Sequence, residues 1–186
     1  EDDYRFDAAA VAAYRREQLS RELPDGREIL KRYLADRREE AEDDEIDWDR
    51  ELVGSVEGGE KIDCFAAYRD YRSEETAPVI LAKIPVKHAF EVFAYLPFGG
   101  WNDCPGTEEL MAVTKYWEER YGAWPSTMSH DELEFLLPAP VPENSALELA
   151  LEHYGFCPDV YQGGDYPLGA LADSLSRSKI WYFWWD

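Results

Sequence analysis

The run Ile180-Trp181-Tyr182-Phe183-Trp184-Trp185 decides how the chain is read. Aromatic and β-branched residues without a break favour a strand, and alternation sets Trp181, Phe183 and Trp185 on one face, Tyr182 and Trp184 on the other. With aromatics on both faces, the strand is expected to be central or covered by helices. An exposed aromatic face would instead be a protein-binding patch, since Trp and Tyr dominate binding hot spots. Upstream, Leu168, Leu171, Ala172 and Leu175 recur at helical spacing. So do Ala146, Leu147, Ala150, Leu151 and Tyr154, in a helix that Pro142 begins and Gly155 stops. Residues 125–129 and 132–137 read as a hairpin turning at His130-Asp131. Thr107 as N-cap, Glu108 and Glu109 in the first turn and Gly122 at the end frame an amphipathic helix with Leu110, Val113, Thr114 and Trp117 inward.

Further upstream, PVILAKIPV at 78–86 predicts a second apolar strand, central in the sheet. Residues 88–96 suit a short helix ending near Pro97, with a strand through 92–96 as the alternative. Residues 52–56 and 61–68 flank Gly58-Gly59 as a hairpin. Residues 1–50 read as a charged helical segment, with Phe6, Ala9, Ala10, Ala13 and Tyr14, then Ile29, Leu30, Tyr33 and Leu34, separated by a turn at Pro24-Asp25-Gly26. The run Glu39-Glu40-Ala41-Glu42-Asp43-Asp44-Glu45 is expected to fray into a solvated linker, because like charges repel. The class is α+β: a mixed, mainly antiparallel sheet covered by helices over residues 51–186, preceded by the charged segment 1–50.

At 186 residues with 45% hydrophobic and 15% aromatic content, the chain can bury a substantial core. No apolar stretch approaches the roughly 18 residues of a spanning helix, and the patch at 8–13 is too short for a signal peptide, so no membrane partner is expected. The chain begins at Glu1 rather than Met, as a trimmed or excised piece would. Three cysteines do not make a secreted disulfide framework, which points to a reducing cytoplasm. A net charge of −21 repels nucleic acid and attracts a basic protein.

Several strings occur together in order. They are Tyr95-Leu96-Pro97-Phe98-Gly99-Gly100-Trp101-Asn102-Asp103-Cys104-Pro105, Tyr116-Trp117 with Tyr121-Gly122-Ala123, and Ala150-Leu151-Glu152-His153-Tyr154-Gly155-Phe156-Cys157-Pro158-Asp159. Gln162-Gly163, Leu171-Ala172 and the terminal Trp181-Tyr182-Phe183-Trp184-Trp185-Asp186 complete them. In these the chain resembles a bacterial family, domain of unknown function 4253, over roughly residues 76–186. The family's title says that its activity is unknown, so the resemblance implies no chemistry.

Chemistry must therefore come from the residues. Cys157 as nucleophile, His153 as base and Asp159 or Asp103 as orienter would make a small hydrolase or transferase. The competing reading makes Cys157 a small buried hydrophobe and His153 a core histidine. Cys104, His153, Cys157 and Asp159 lack the paired spacing of a zinc site, so no metal is assigned. Gly99-Gly100 lacks the pattern of a phosphate loop, so no cofactor is expected. Trp101, Asn102, Asp103, Cys104, Asp159 and Gln162, polar or aromatic residues in loops, are the candidate binding set. The leading expectation is an acidic cytoplasmic protein-interaction module, its most concrete version an immunity or antitoxin-like protein neutralising a basic toxin. The Cys/His hydrolase or transferase is the alternative.

Overall fold

A computed structural model describes residues 7–69, 75–161, 163 and 166–186. α1 (Ala8–Ser20) and α2 (Gly26–Asp43) each start on an aspartate. Asp7 accepts from the Ala9 and Ala10 N–H groups at 2.8 and 3.0 Å, Asp25 from those of Arg27 and Glu28 at 2.8 and 3.3 Å. A wide helical turn (Trp48–Val53) and a 3-10 helix (Ala89–Ala94) lead to α3 (Thr107–Tyr121). The hairpin β1 (Trp124–Met128) and β2 (Glu132–Leu136), α4 (Glu143–Phe156), a 3-10 turn (Pro158–Val160), α5 (Leu168–Leu175) and β3 (Ile180–Trp184) complete the order. The three strands form one antiparallel sheet in the order β1-β2-β3. This is an α+β fold, and the sheet described is antiparallel throughout.

Register explains the core. Leu133 faces Phe183 and Phe135 faces Trp181, so period-2 alternation puts all four on one side. Trp117 from α3 and Phe156 from α4 press on that side, edge-to-face against Phe135, Trp181 and Phe183 or stacked at 9° in the Trp117–Phe183 pair. All six are fully buried, each contributing on the order of 2–3 kcal/mol of transfer free energy. The opposite face is covered in part. Glu134 is 0% exposed there, because the chain passing over the sheet near residue 66 donates the Ala66 and Ala67 N–H groups to its carboxylate at 2.8 and 3.1 Å. The Thr127 hydroxyl donates to the same carboxylate. β3 itself is fully buried only on its Trp181 and Phe183 face; on the other, Tyr182 is half-buried and Trp184 is 40% exposed, so the expectation of a strand covered on both faces holds for one of them.

The charged N-terminal segment is helical, and α2 packs into the core that follows it. Ile29 and Leu30 are buried in the same cluster as Leu110, Val113 and Ala150. Gly26 lets α2 touch α3: a Cβ there would stand 2.2 Å from the Ala112 carbonyl oxygen. The acidic run does not fray, for α2 continues to Asp43 with Ala41 buried and Arg37 paired with Glu40 at 2.7 Å. Anchoring of one apolar face outweighs repulsion that solvent screens on the other.

Four other expectations fail. Residues 52–56 and 61–68 make no hairpin, because Leu52 closes a helical turn and is buried by it. Residues 78–86 form no strand, and their first half lies in solvent, with Val79 70%, Ile80 94% and Leu81 99% exposed, while Ile84 and Val86 are half-buried. Thr107 is the first helical residue of α3 rather than its cap, and its hydroxyl meets that of Tyr14 at 3.1 Å. Gly155 does not stop α4 but lies one residue inside its end, against the backbone of Leu30 and Leu34. Phe6 lies outside the described residues. Among the described residues no helix is long and apolar enough to cross a membrane.

Candidate functional site

The segment between the 3-10 helix and α3 turns sharply because Gly99 and Gly100 take φ of 80° and 81° and Asn102 takes 44°. The Gly100 N–H reaches the carbonyls of Cys104 and Pro105 at 3.2 and 3.1 Å, and the Cys104 N–H that of Trp101 at 2.9 Å. This loop closes on the end of β3. The Asn102 amide donates to the Asp186 carbonyl, the Asp186 N–H donates to Asp159 at 3.2 Å, and the Cys157 thiol donates to the Trp184 carbonyl at 3.1 Å. Trp101 stands edge-on to Phe98 at 5.0 Å, and Phe98 to Trp185 at 5.7 Å. Trp101, Asn102, Cys157 and Asp159 therefore meet around the end of β3. Gln162 lies outside the described residues.

On the other side, Asn102, Asp103 and Cys104 line a cleft of about 310 Å3 whose opposite wall is α2, through Tyr33, Arg37 and Glu40. Arg37 bridges the walls, 3.2 Å from Asp103 and 2.7 Å from Glu40. Burial, and then the Glu109 carboxylate beside it, push the Tyr33 hydroxyl well above its ordinary range. The sequence reading missed this wall. A signal existed: Tyr33, Arg37 and Glu40 recur at helical spacing, a polar stripe continuing the apolar one of Ile29 and Leu30.

The Cys/His pair is differently placed. His153 is buried among Trp117, Trp181 and Phe183, with ring centroids 4.6–5.3 Å away. Its Nε2 has no hydrogen-bond partner, and burial pushes the imidazole down to about 3. Burial and the charge of Asp159 push the Cys157 thiol up, and burial lifts that of Cys104 to about 12. No side-chain hydrogen bond joins Cys157 to His153; the backbone N–H of Cys157 donates to the His153 carbonyl at 2.8 Å. The first holds its proton on the Trp184 carbonyl, and the second is a neutral ring in an aromatic cage. Among the described residues, no three His, Cys, Asp or Glu side chains converge as metal ligands.

A family model described as "Domain of unknown function (DUF4253)" matches residues 80–186. The chain belongs to this family. No curated protein and no solved structure matches it. The DUF4253 match takes in the loop, α3, α4 and β3, whereas α1 and α2 lie before its start. One wall of the cleft is thus family sequence, and the facing wall comes from outside the match.

Proposed function

We propose that this protein is an acidic interaction module that binds a basic protein, in the manner of an immunity or antitoxin protein that neutralises a toxin. The observation that carries the reading is an ordered acidic ridge along the end of α2 and the turn after it. Asp36, Glu39, Glu40, Glu42, Asp43, Asp44, Glu45, Asp47, Asp49 and Glu51 are all exposed there, among only Arg37, Arg38 and Arg50 as basic residues. Asp36, Glu39, Glu42, Asp43, Asp44, Glu45 and Asp49 have no ion pair among the described residues. Buried Ala41 and Leu52 hold the ridge from below. Carboxylates fixed before binding attract a cationic surface and cost little further ordering when it arrives. A cytoplasmic setting, with three free cysteines, belongs to the same reading. A Cys/His hydrolase or transferase gains no comparable support, since the Cys157 thiol donates to the Trp184 carbonyl and not to His153, whose buried imidazole is a weak base.

The test is affinity capture from a lysate of the source cells at about 0.1 M and about 1 M salt. A variant carrying Glu39→Gln, Glu42→Gln, Asp43→Asn and Glu45→Gln serves as comparison. A basic protein retained at low salt, released at high salt and lost from the variant is the expected result. No retained protein, or one held equally by the variant, rejects the proposal.

A further inference from the structure

Residues 59–67 run as a strap from the end of α5 to the outer face of the sheet, and side chains of the fold grip the strap's main chain. The Asp173 carboxylate accepts from the Gly59 N–H at 2.9 Å, and Arg177, held on Asp173 at 2.7 Å, donates to the Gly59 carbonyl. The Ser174 hydroxyl donates to the Glu60 carbonyl, and the Ser178 hydroxyl accepts from the Ile62 N–H at 2.9 Å. Glu134 takes the Ala66 and Ala67 N–H groups, and every hydrogen bond it accepts among the described residues comes from an uncharged donor. Glu134, Ser174 and Ser178 are at most 1% exposed, so the strap's amides and carbonyls satisfy polar groups that are otherwise buried. All five gripping residues lie within the family match at 80–186, and the strap precedes it.

The strap's own side chains contribute little. Between residues 57 and 67 only Gly59 is buried; Ile62, Phe65 and Ala67 are half-buried and the rest are exposed. A Cβ at residue 59 would stand 2.1 Å from the Ala170 carbonyl oxygen and 2.4 Å from the Ser174 nitrogen, so the groove admits glycine there and nothing larger. Gripping the main chain, with side-chain selection at a few positions, is how a groove takes an extended peptide whose other residues are free to vary. A segment held mainly by polar contacts also opens without the core opening. We infer that this groove is a peptide-binding site that residues 59–67 occupy in cis. Its partner in trans is an extended segment of another protein carrying glycine, an apolar residue three positions on and a second after three more, the spacing of Gly59, Ile62 and Phe65. The inference is independent of the acidic ridge, and neither test bears on the other.

The probe is a fluorescent synthetic peptide of residues 57–69 with Cys64→Ser, titrated against the full chain by anisotropy. In the parent the tethered strap competes with it at high effective concentration. Gly59→Val in the chain expels that strap and leaves the groove open, so this variant is expected to bind the peptide at least about tenfold more tightly than the parent. Adding Glu134→Ala to the variant, or placing Gly59→Val in the peptide instead, is expected to weaken binding about tenfold or more. Near-ultraviolet circular dichroism of the tryptophan core and sedimentation accompany the titration. The inference is overturned if the parent and Gly59→Val chains bind the peptide alike, if Glu134→Ala changes nothing, or if the valine peptide binds as tightly as the glycine one. Loss of the tryptophan signal in Gly59→Val also overturns it, because the strap is then part of the core. A parent that sediments as a dimer, with Gly59→Val a monomer, would make the occupant a second copy and overturn it too.

Discussion

β3 and the 78–86 segment are written in nearly the same alphabet, and the fold treats them oppositely. Ile180, Trp181 and Phe183 are buried, while Val79, Ile80 and Leu81 stand in solvent. The difference lies in partners. β3 has β2 beside it, Trp117 and Phe156 on one face, and Tyr182 donating to Glu132 at 2.8 Å on the other. The 78–86 segment is bounded by Pro78 and Pro85, which lack N–H donors, and its VILA run does not alternate. The edge strand β1 offers it little, because Pro125 and a register irregularity before Thr127 interrupt that strand. Strand propensity is a statement about fitting a half-buried pleated surface, and only one of these stretches has such a surface.

The comparison can be broken at its strong end first. Trp181→Ala should cost about 3–5 kcal/mol in urea unfolding, since a fully buried indole leaves a cavity among four rings. A loss below about 1 kcal/mol would mean that β3 is not the core strand described.

The next effect is pH-dependent and also belongs to the face of β3. His153 packs on Trp181 and Phe183 and protonates near 3 in the folded state against an ordinary 6.5. Between those values the unfolded chain binds a proton that the folded chain refuses, so stability falls as pH falls through that window. The slope contributed is up to about 1.4 kcal/mol per pH unit. His153→Phe, which keeps a ring in the cage, should remove this contribution; an unchanged acid slope would show that the imidazole is already solvated.

The smallest effect is expected at the other end. Ile80→Asp combined with Leu81→Lys should change stability by no more than about 0.5 kcal/mol, with free hydrogen exchange at 79–84 beside protected amides at 181–183. A loss above about 1 kcal/mol, or protection at 79–84, would show the segment packed and end the contrast.

How far the sequence carries differs for fold and site. The later helices, the hairpin at His130-Asp131 and the aromatic strand β3 were legible, because each is a local period written into consecutive residues; the α1 stripe was not, for Ala9, Ala10 and Ala13 are exposed and Gln18 is the buried residue. The meeting of Trp101, Asn102 and Asp159 was anticipated from loop residues without a packing duty, and its geometry gives two of them one: Asn102 and Asp159 both fasten Asp186. Read as a nucleophile and its base, Cys157 and His153 gave a plausible pair, but the same α4 periodicity that turned His153 inward also sealed it among rings.

Composition and periodicity were enough for the α+β class, the aromatic core strand and the strong negative charge, since these depend on residue type and spacing along the chain. Packing settled the rest. That α2 walls the cleft through Arg37 and that the acidic run is a ridge and not a frayed linker both depend on contacts between residues far apart in sequence. So does the fate of the 78–86 segment: a strand requires a free, complementary edge, and no single stretch of sequence records whether another part of the molecule supplies one.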